Sequence, residues 1–128
     1  MSRPQNEYPT PGELAVLNLL WSEGPLSGRE VMDRLNEDGK DRAYTSVTSL
    51  LNVMAEKGLV RRDARGRGYV YAARVKRDRT TREMLRDLVG RAFEGSASSL
   101  VAALLSDSKI SVEELEAIRR TILEHADE

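Results

Sequence analysis

The sequence contains no cysteine, and its only histidine is His125, close to the C-terminus. Without cysteine the chain forms no disulfide, no thiolate metal site and no thiol nucleophile. A structural zinc site needs about four nitrogen or sulfur ligands, a catalytic nucleophile needs an activating base, and neither common glycine-rich phosphate loop occurs in the sequence. We therefore expect no metal, no cofactor and no enzymatic activity.

Long apolar runs are also missing. No stretch approaches the ~20 residues that cross a bilayer, and residues 1–11 lack the apolar core of a secretory signal. Hydrophobic residues make up 40% of the chain and charged residues 32%, a balance typical of globular, soluble proteins. The 128 residues are enough for one ordinary domain or two small ones. We expect a cytoplasmic protein without a membrane partner.

The chain as a whole has little net charge, formally −1, but the charge is unevenly distributed. Residues 42–76 contain eight basic and two acidic side chains, a balance of +6, whereas residues 77–128 contain eight basic and eleven acidic ones, a balance of −3. A basic segment followed by an acidic one predicts an anionic partner that contacts the middle of the chain only.

Two capping boxes mark the starts of the first two predicted helices, Thr10 with Glu13 and Ser27 with Glu30. In this motif each side chain accepts a hydrogen bond from the backbone N–H of the other residue. Leucines at helical spacing together with Trp21 predict the buried side of the first helix.

A third helix is predicted over about residues 45–57, with Gly58 as its C-terminal stop. At ~100° per residue its apolar side chains gather on one face. The opposite face and its margin carry short polar side chains: Thr45, Ser46, Thr48, Ser49 and Asn52. Such side chains on a helix can meet base edges and phosphates in the DNA major groove. An ordinary solvated helix face is the alternative.

After Gly58 the hydrophobic period changes to two, which predicts strands over residues 59–63 and 69–72, joined by a link at 64–68. Arg65 and Arg67 lie in this link. Arginines at the tip of a narrow hairpin can reach a phosphate or an adjacent minor groove. They could equally be solvated turn residues. A hairpin with a basic tip after three helices is the outline of a winged helix.

The second half of the chain is predicted to be all-helical, with helices over about residues 80–94 and 96–105 and a last one that starts near Ser111. About fifty residues bury too little surface to be stable alone, so the apolar stripes of these helices predict a homodimer. The predicted dimer contacts are Leu85, Leu88, Val89, Phe93, Leu100, Val101, Leu104, Leu115, Ile118 and Ile122. We place a DNA-binding domain at 1–76 and a helical dimerisation domain at 77–128.

From Thr10 to Leu123 the sequence resembles the penicillinase-repressor family, the BlaI, MecI and CopY group of bacterial repressors. The segments that carry the resemblance are ELAVL with LW at 13–21, GPLS at 24–27, YTSVTSLL at 44–51, EKGLV at 56–60, GRGYVY at 66–71, FEGS at 93–96, LV at 100–101 and EEL at 113–115. Each segment is weak by itself, but their order and spacing make the match specific.

The resemblance implies a mainly α fold with a small β-hairpin, an N-terminal winged helix-turn-helix followed by a C-terminal helical dimerisation domain. It also implies a homodimer that binds inverted repeats in promoters and represses transcription. By the same resemblance, the five polar residues of the third helix would face double-stranded DNA, and Arg65 and Arg67 would lie in the wing.

The chain departs from the family in two ways. CopY-like members carry a C-terminal cysteine cluster that binds metal, and this chain has no cysteine. The antibiotic-resistance repressors are cut by a sensor protease at an Asn-Phe bond. That residue pair is missing from the matching stretch near Ala103 and Leu104. Whether a sensor protease is a partner of this chain is therefore left open. Two other functions also stay open, a protein-interaction module on the same fold and a regulator that binds a small molecule at its dimer interface.

Overall fold

The computed structural model describes residues 8–126. The prediction that residues 1–11 form no secretory signal falls mostly outside these described residues. Its elements in chain order are α1 (Pro11–Glu23), β1 (Leu26–Ser27), α2 (Gly28–Leu35), α3 (Tyr44–Lys57), β2 (Val60–Arg65), β3 (Gly68–Ala73), α4 (Arg77–Ala92), α5 (Ala97–Leu105) and α6 (Val112–Ala126). This mainly helical architecture with one small antiparallel sheet confirms the predicted fold class.

The predicted starts of the first two helices and the predicted stop of the third are confirmed. Both capping boxes are complete, at the start of α1 and at the start of α2. α3 begins at Tyr44, one residue before the predicted start, and ends at Lys57, with Gly58 as its C-cap. Gly58 has a φ of 81°, the left-handed conformation in which glycine commonly ends a helix.

The hairpin has longer strands and a shorter turn than the sequence predicts. The pairing of β2 with β3 runs from Val60 opposite Ala73 to Arg65 opposite Gly68, so the turn is only Gly66 and Arg67, and the predicted link at 64–68 is wrong. Gly66 has a φ of 58°, as a two-residue type II′ turn needs at its first position. Glycine adopts that value without steric cost. Arg65 and Gly68, on either side of the turn, belong to the paired strands.

A third strand completes the sheet, in the order β1-β3-β2. The two residues of β1 pair with Tyr71 and Val70 of β3. No sequence pattern predicts this strand, since two residues are too few to show an alternation of polar and apolar side chains. It joins the loop before α2 to the hairpin.

One hydrophobic core lies between α1, α2, α3 and the sheet. Its buried members are Val16, Leu17, Leu20, Leu26, Val31, Val47, Leu51, Met54, Val60 and Tyr71. The half-buried Trp21 packs against this core and donates a hydrogen bond from Nε1 to the carbonyl oxygen of Val75, 2.9 Å away. Because α3 and the hairpin contribute to the same core, their exposed sides are held in a fixed relation.

A buried carboxylate connects the start of α1 with the end of α3. Glu13 Oε2 lies 2.7 Å from Lys57 Nζ, and the two side chains are 3% and 27% exposed. Glu13 Oε1 also accepts the capping-box hydrogen bond from the backbone N–H of Thr10, 2.9 Å away. Both oxygens of this carboxylate therefore have partners, which is the condition under which a buried charge is tolerated.

The chain divides into two compact units between Met84 and Leu85, within α4. In the second unit α5 and α6 contain no buried residue across the part that the structure describes. The domain boundary at residue 76 stays a prediction.

Between residues 8 and 126 no single helix is long and apolar enough to span a membrane. α4 and α5 together meet the length and composition of a membrane span, but only as a bent pair.

We predict that Glu13→Ala lowers the free energy of unfolding by about 1.5–3 kcal/mol, because charge-assisted hydrogen bonds of Glu13 are lost and Lys57 is left without its partner. Glu30→Ala is the matched control, since Glu30 closes the same capping box on α2 but is exposed. Urea unfolding monitored by Trp21 fluorescence measures both variants. Equal losses for the two would show that the link to Lys57 contributes nothing.

Candidate nucleic-acid interface

The outer face of α3 carries most of the polar residues predicted to contact DNA. Thr45, Ser49 and Asn52 are exposed, and Thr48 is half-buried. The Thr48 hydroxyl donates to the carbonyl oxygen of Thr45, 3.1 Å away, so its proton is used within the helix. Ser46 is exposed but lies on another flank, where it lines a separate groove with residues of α1 and α2.

Between α3 and the hairpin lies a concavity of about 280 Å³. Its lining residues are Gly28, Tyr44, Thr48, Asn52, Arg62, Arg67, Gly68, Tyr69 and Tyr71. The fold therefore brings Thr48 and Asn52 of the helix together with Arg67 of the turn, three residues that the sequence predicts as DNA contacts. Thr45, Ser46, Ser49 and Arg65 do not line it.

Arg62 is the charged member of this concavity that the sequence prediction misses. Its Nη1 donates a hydrogen bond to Asn52 Oδ1 at 2.8 Å, and its Cζ lies 4.8 Å from the centre of the Tyr69 ring, within the range of a cation–π contact. The signal that could have identified Arg62 is its place two residues after the buried Val60, because alternate residues of a strand face the same side.

The two faces of the hairpin carry different charged residues. Arg62 lies opposite Tyr71 in the pairing register and faces α3. Arg61, Asp63 and Arg65 alternate with it and so belong to the other face, where Arg61 Nε lies 3.2 Å from Asp63 Oδ2. Arg65 therefore belongs to the outer face of the hairpin, whereas Arg67 lies in the turn and lines the concavity.

The two tyrosines of β3 have different environments. Tyr71 is 4% exposed and belongs to the core, whereas Tyr69 is 46% exposed under the Arg62 guanidinium. Burial raises the pKa of the Tyr71 hydroxyl. Tyr71 therefore packs in the core, while the ring of Tyr69 lies at the surface of the concavity.

A second arginine–tyrosine pair lies at the α2 side of the concavity. Arg29 Cζ is 5.1 Å from the centre of the Tyr44 ring. The start of α2 is close to α3 here, since a Cβ atom on Gly28 would lie 3.5 Å from the Tyr44 hydroxyl oxygen. Arg29 thus adds a cation next to the first turn of α3, which sequence patterning does not predict.

The turn between α2 and α3 is held by Arg42. Its guanidinium donates to the carbonyl oxygen of Leu35 at 2.7 Å and to Asp38 Oδ2 at 2.8 Å, and its backbone N–H donates to Asn36 Oδ1 at 3.0 Å. The Arg42 hydrogen bond is the main cause that lowers the pKa of Asp38 to about 2. Arg42 therefore fixes the entry into α3, and its charge is neutralised locally.

The cations of the basic segment are thus not equivalent. Arg42, Lys57 and Arg61 each have a carboxylate partner. Within the described range, Arg65 and Arg67 have no ion-pair partner, and both are exposed. Within α3 and the hairpin, the positive charge available to an external polyanion therefore lies at the tip of the hairpin and in the concavity beside α3.

The sequence profile of the family described as "Penicillinase repressor" matches residues 9–124. The chain is 32% identical over 113 residues to the transcriptional regulator BlaI of Mycobacterium tuberculosis, covering 88% of this chain and 80% of that relative. It is 24% identical over 113 residues to the penicillinase repressor of Bacillus licheniformis, covering 88% of each. With the penicillinase repressor of Staphylococcus aureus it shares 20% identity over 107 residues, 84% of each chain.

Proposed function

Because the chain belongs to the penicillinase-repressor family, as the resemblance predicts, we propose that it represses transcription by binding an inverted-repeat operator in a promoter as a homodimer. The family is one of repressors, and its named relatives are penicillinase repressors and a transcriptional regulator rather than enzymes, in agreement with the sequence prediction. The observation that carries the proposal is the exposed polar face of α3 beside an arginine-tipped hairpin, both fixed by one core.

In this proposal α3, the predicted recognition helix 45–57, lies in the major groove. Thr45, Ser49 and Asn52 face outward and would meet base edges or phosphates, and Thr48 would contribute from the side of the concavity. Short hydroxyl and amide side chains allow the helix backbone to approach the bases closely, and they match the donor and acceptor pattern of the groove. Ser46, on the other flank, would contact the backbone on that side.

The tip of the hairpin would contact the DNA backbone or the adjacent minor groove. Arg65 and Arg67 are exposed and flank Gly66. A Cβ atom on Gly66 or Gly68 would meet no atom within 4 Å, so the absence of side chains at these positions leaves open space beside the arginines. Unpaired guanidinium groups on a narrow hairpin are well suited to bidentate phosphate contacts.

We predict that Arg65→Ala and Arg67→Ala each weaken binding to all DNA sequences and reduce the salt dependence of log K by about one unit per lost phosphate contact. Arg120→Ala, an exposed arginine on α6, removes the same charge outside the proposed interface and should leave the slope unchanged. Fluorescence anisotropy titrations at several salt concentrations measure the slopes. An unchanged affinity and slope in both wing variants would remove the hairpin tip from the interface.

The helices of the second unit support the homodimer. Large apolar side chains stay exposed there, among them Leu85 at 49% and Ile122 at 52%. Leu105, Leu115, Ile118, Ile122 and Leu123 line a groove of about 200 Å³ together with Arg119. Apolar side chains exposed in this number are typical of an oligomer interface. A second copy of the same helices would cover them, and residues 77–128 would then act as the dimerisation domain.

A two-fold dimer would also explain the form of the operator. Each protomer would present one α3 to one half-site, so the symmetry of the protein would require an inverted repeat in the DNA. Linking two weak half-site contacts raises the affinity of the whole complex without any new contact.

We predict that Ile122→Arg shifts the protein to a monomer and weakens operator binding, because a charge would then be buried at the proposed interface. Thr121→Arg adds the same charge on another side of α6, where the Thr121 hydroxyl bonds only to its own helix, and should stay dimeric. Sedimentation velocity at micromolar concentration measures both. A dimeric Ile122→Arg protein would exclude this helix face from the interface.

The decisive test of the whole proposal is selection of bound duplexes from a random library with the purified chain. We expect an inverted repeat whose half-sites are separated by about one helical turn or a multiple of it. A recovered single site would contradict the dimer. Absence of any complex at low ionic strength would contradict DNA binding and favour a protein-interaction module on the same fold.

A further inference from the structure

We propose that Arg62 determines sequence specificity by orienting the side-chain amide of Asn52, so that Asn52 offers a hydrogen-bond donor to the bases. The proposal rests on the proposed function, because it requires α3 to lie in the major groove. The observation behind it is the 2.8 Å hydrogen bond from Arg62 Nη1 to Asn52 Oδ1, which joins the hairpin to the exposed face of the helix.

The chemistry of the pair fixes which atom of Asn52 faces the hairpin. A guanidinium group carries only donors and no acceptor, whereas the asparagine amide carries one oxygen acceptor and one nitrogen with two donor protons. Only the oxygen can therefore face Arg62. The nitrogen, on the other branch of the amide, is turned away from this contact and has no hydrogen-bond partner among residues 8–126.

Arg62 is itself held in place by the sheet. It lies opposite the buried Tyr71 in the pairing of β2 with β3, and its guanidinium stacks over the ring of Tyr69 at 4.8 Å. A side chain restrained by a strand, a ring and a hydrogen bond has lost much of its rotamer freedom before any DNA binds. The conformational entropy cost of ordering Asn52 is reduced for the same reason.

The contact also changes what the amide can do. A hydrogen bond from a charged donor polarises the carbonyl, which strengthens the N–H groups as donors, and it occupies part of the capacity of the oxygen as an acceptor. An asparagine in this state favours base edges that present acceptors, O6 and N7 of guanine or O4 of thymine, over the paired donor and acceptor of adenine.

The test is selection of bound duplexes with the full chain, with Arg62→Met beside the unchanged protein. Methionine keeps an unbranched stem but removes every donor. We expect one position in each half-site to prefer guanine or thymine with the unchanged protein. In Arg62→Met that preference should fall by about 5- to 150-fold, the range of one good base contact, with adenine becoming acceptable there.

Three further variants separate this role from a simple loss of charge. Arg61→Met removes an arginine from the other face of the same strand, where it pairs with Asp63, and should leave every base preference unchanged. Asn52→Ala should lose the preference at the same position as Arg62→Met, and the double variant should lose no more than Asn52→Ala alone. Circular dichroism melting checks that each variant is folded.

The outcomes distinguish this inference from the proposed function. If Arg62→Met weakens binding equally for all sequences and keeps the preference at every position, Arg62 is a backbone contact and the inference is wrong. If Asn52→Ala and Arg62→Met affect different positions, the inference is also wrong. If the unchanged protein selects no sequence at all, it is the proposed function that fails.

Discussion

The burial of the apolar side of α3 is the constraint on which the rest of the structure depends. Val47, Leu51 and Met54 are buried in the core, and burying side chains of this kind contributes roughly 1.5–3 kcal/mol each, more than any surface ion pair of the chain can supply. Their burial leaves the polar side of α3 outside. The Glu13–Lys57 pair and the Arg42 hydrogen bonds then hold the two ends of the helix.

Side chains alternate between the two faces of the hairpin strands, and this alternation decides on which face each charged residue lies. Because Val60 points into the core, Arg62 must face α3, and Arg61 must face away from it. The same rule assigns Arg65 to the outer face. The arginines of the hairpin are therefore of three kinds: Arg62 organises the interface, Arg61 is neutralised by a carboxylate, and Arg65 and Arg67 at the tip have no ion pair within the described residues.

The helices of the C-terminal half differ from those of the first half in what their apolar sides contact. Its helices have regular apolar stripes, yet α5 and α6 bury no residue within the range that the structure describes. A stripe specifies which side of a helix seeks an apolar partner, and here large apolar side chains of the stripe stay exposed, among them Leu104 and Ile122. A second copy would provide it, and the proposed affinity for DNA would then depend on the same apolar surface that joins the protomers.

The sequence by itself determined the elements whose signals are local. Capping boxes, the stop at Gly58 and the change of period after it predicted the helices, the hairpin and the polar face of α3, and the order of these motifs indicated the family. Only the tertiary structure decided which polar residues meet. The packing of the hairpin beside α3 brought Arg62 to Asn52, and the packing of α2 against α3 brought Arg29 to the ring of Tyr44. The physical reason is that these contacts depend on how distant segments share one core, which no local pattern encodes.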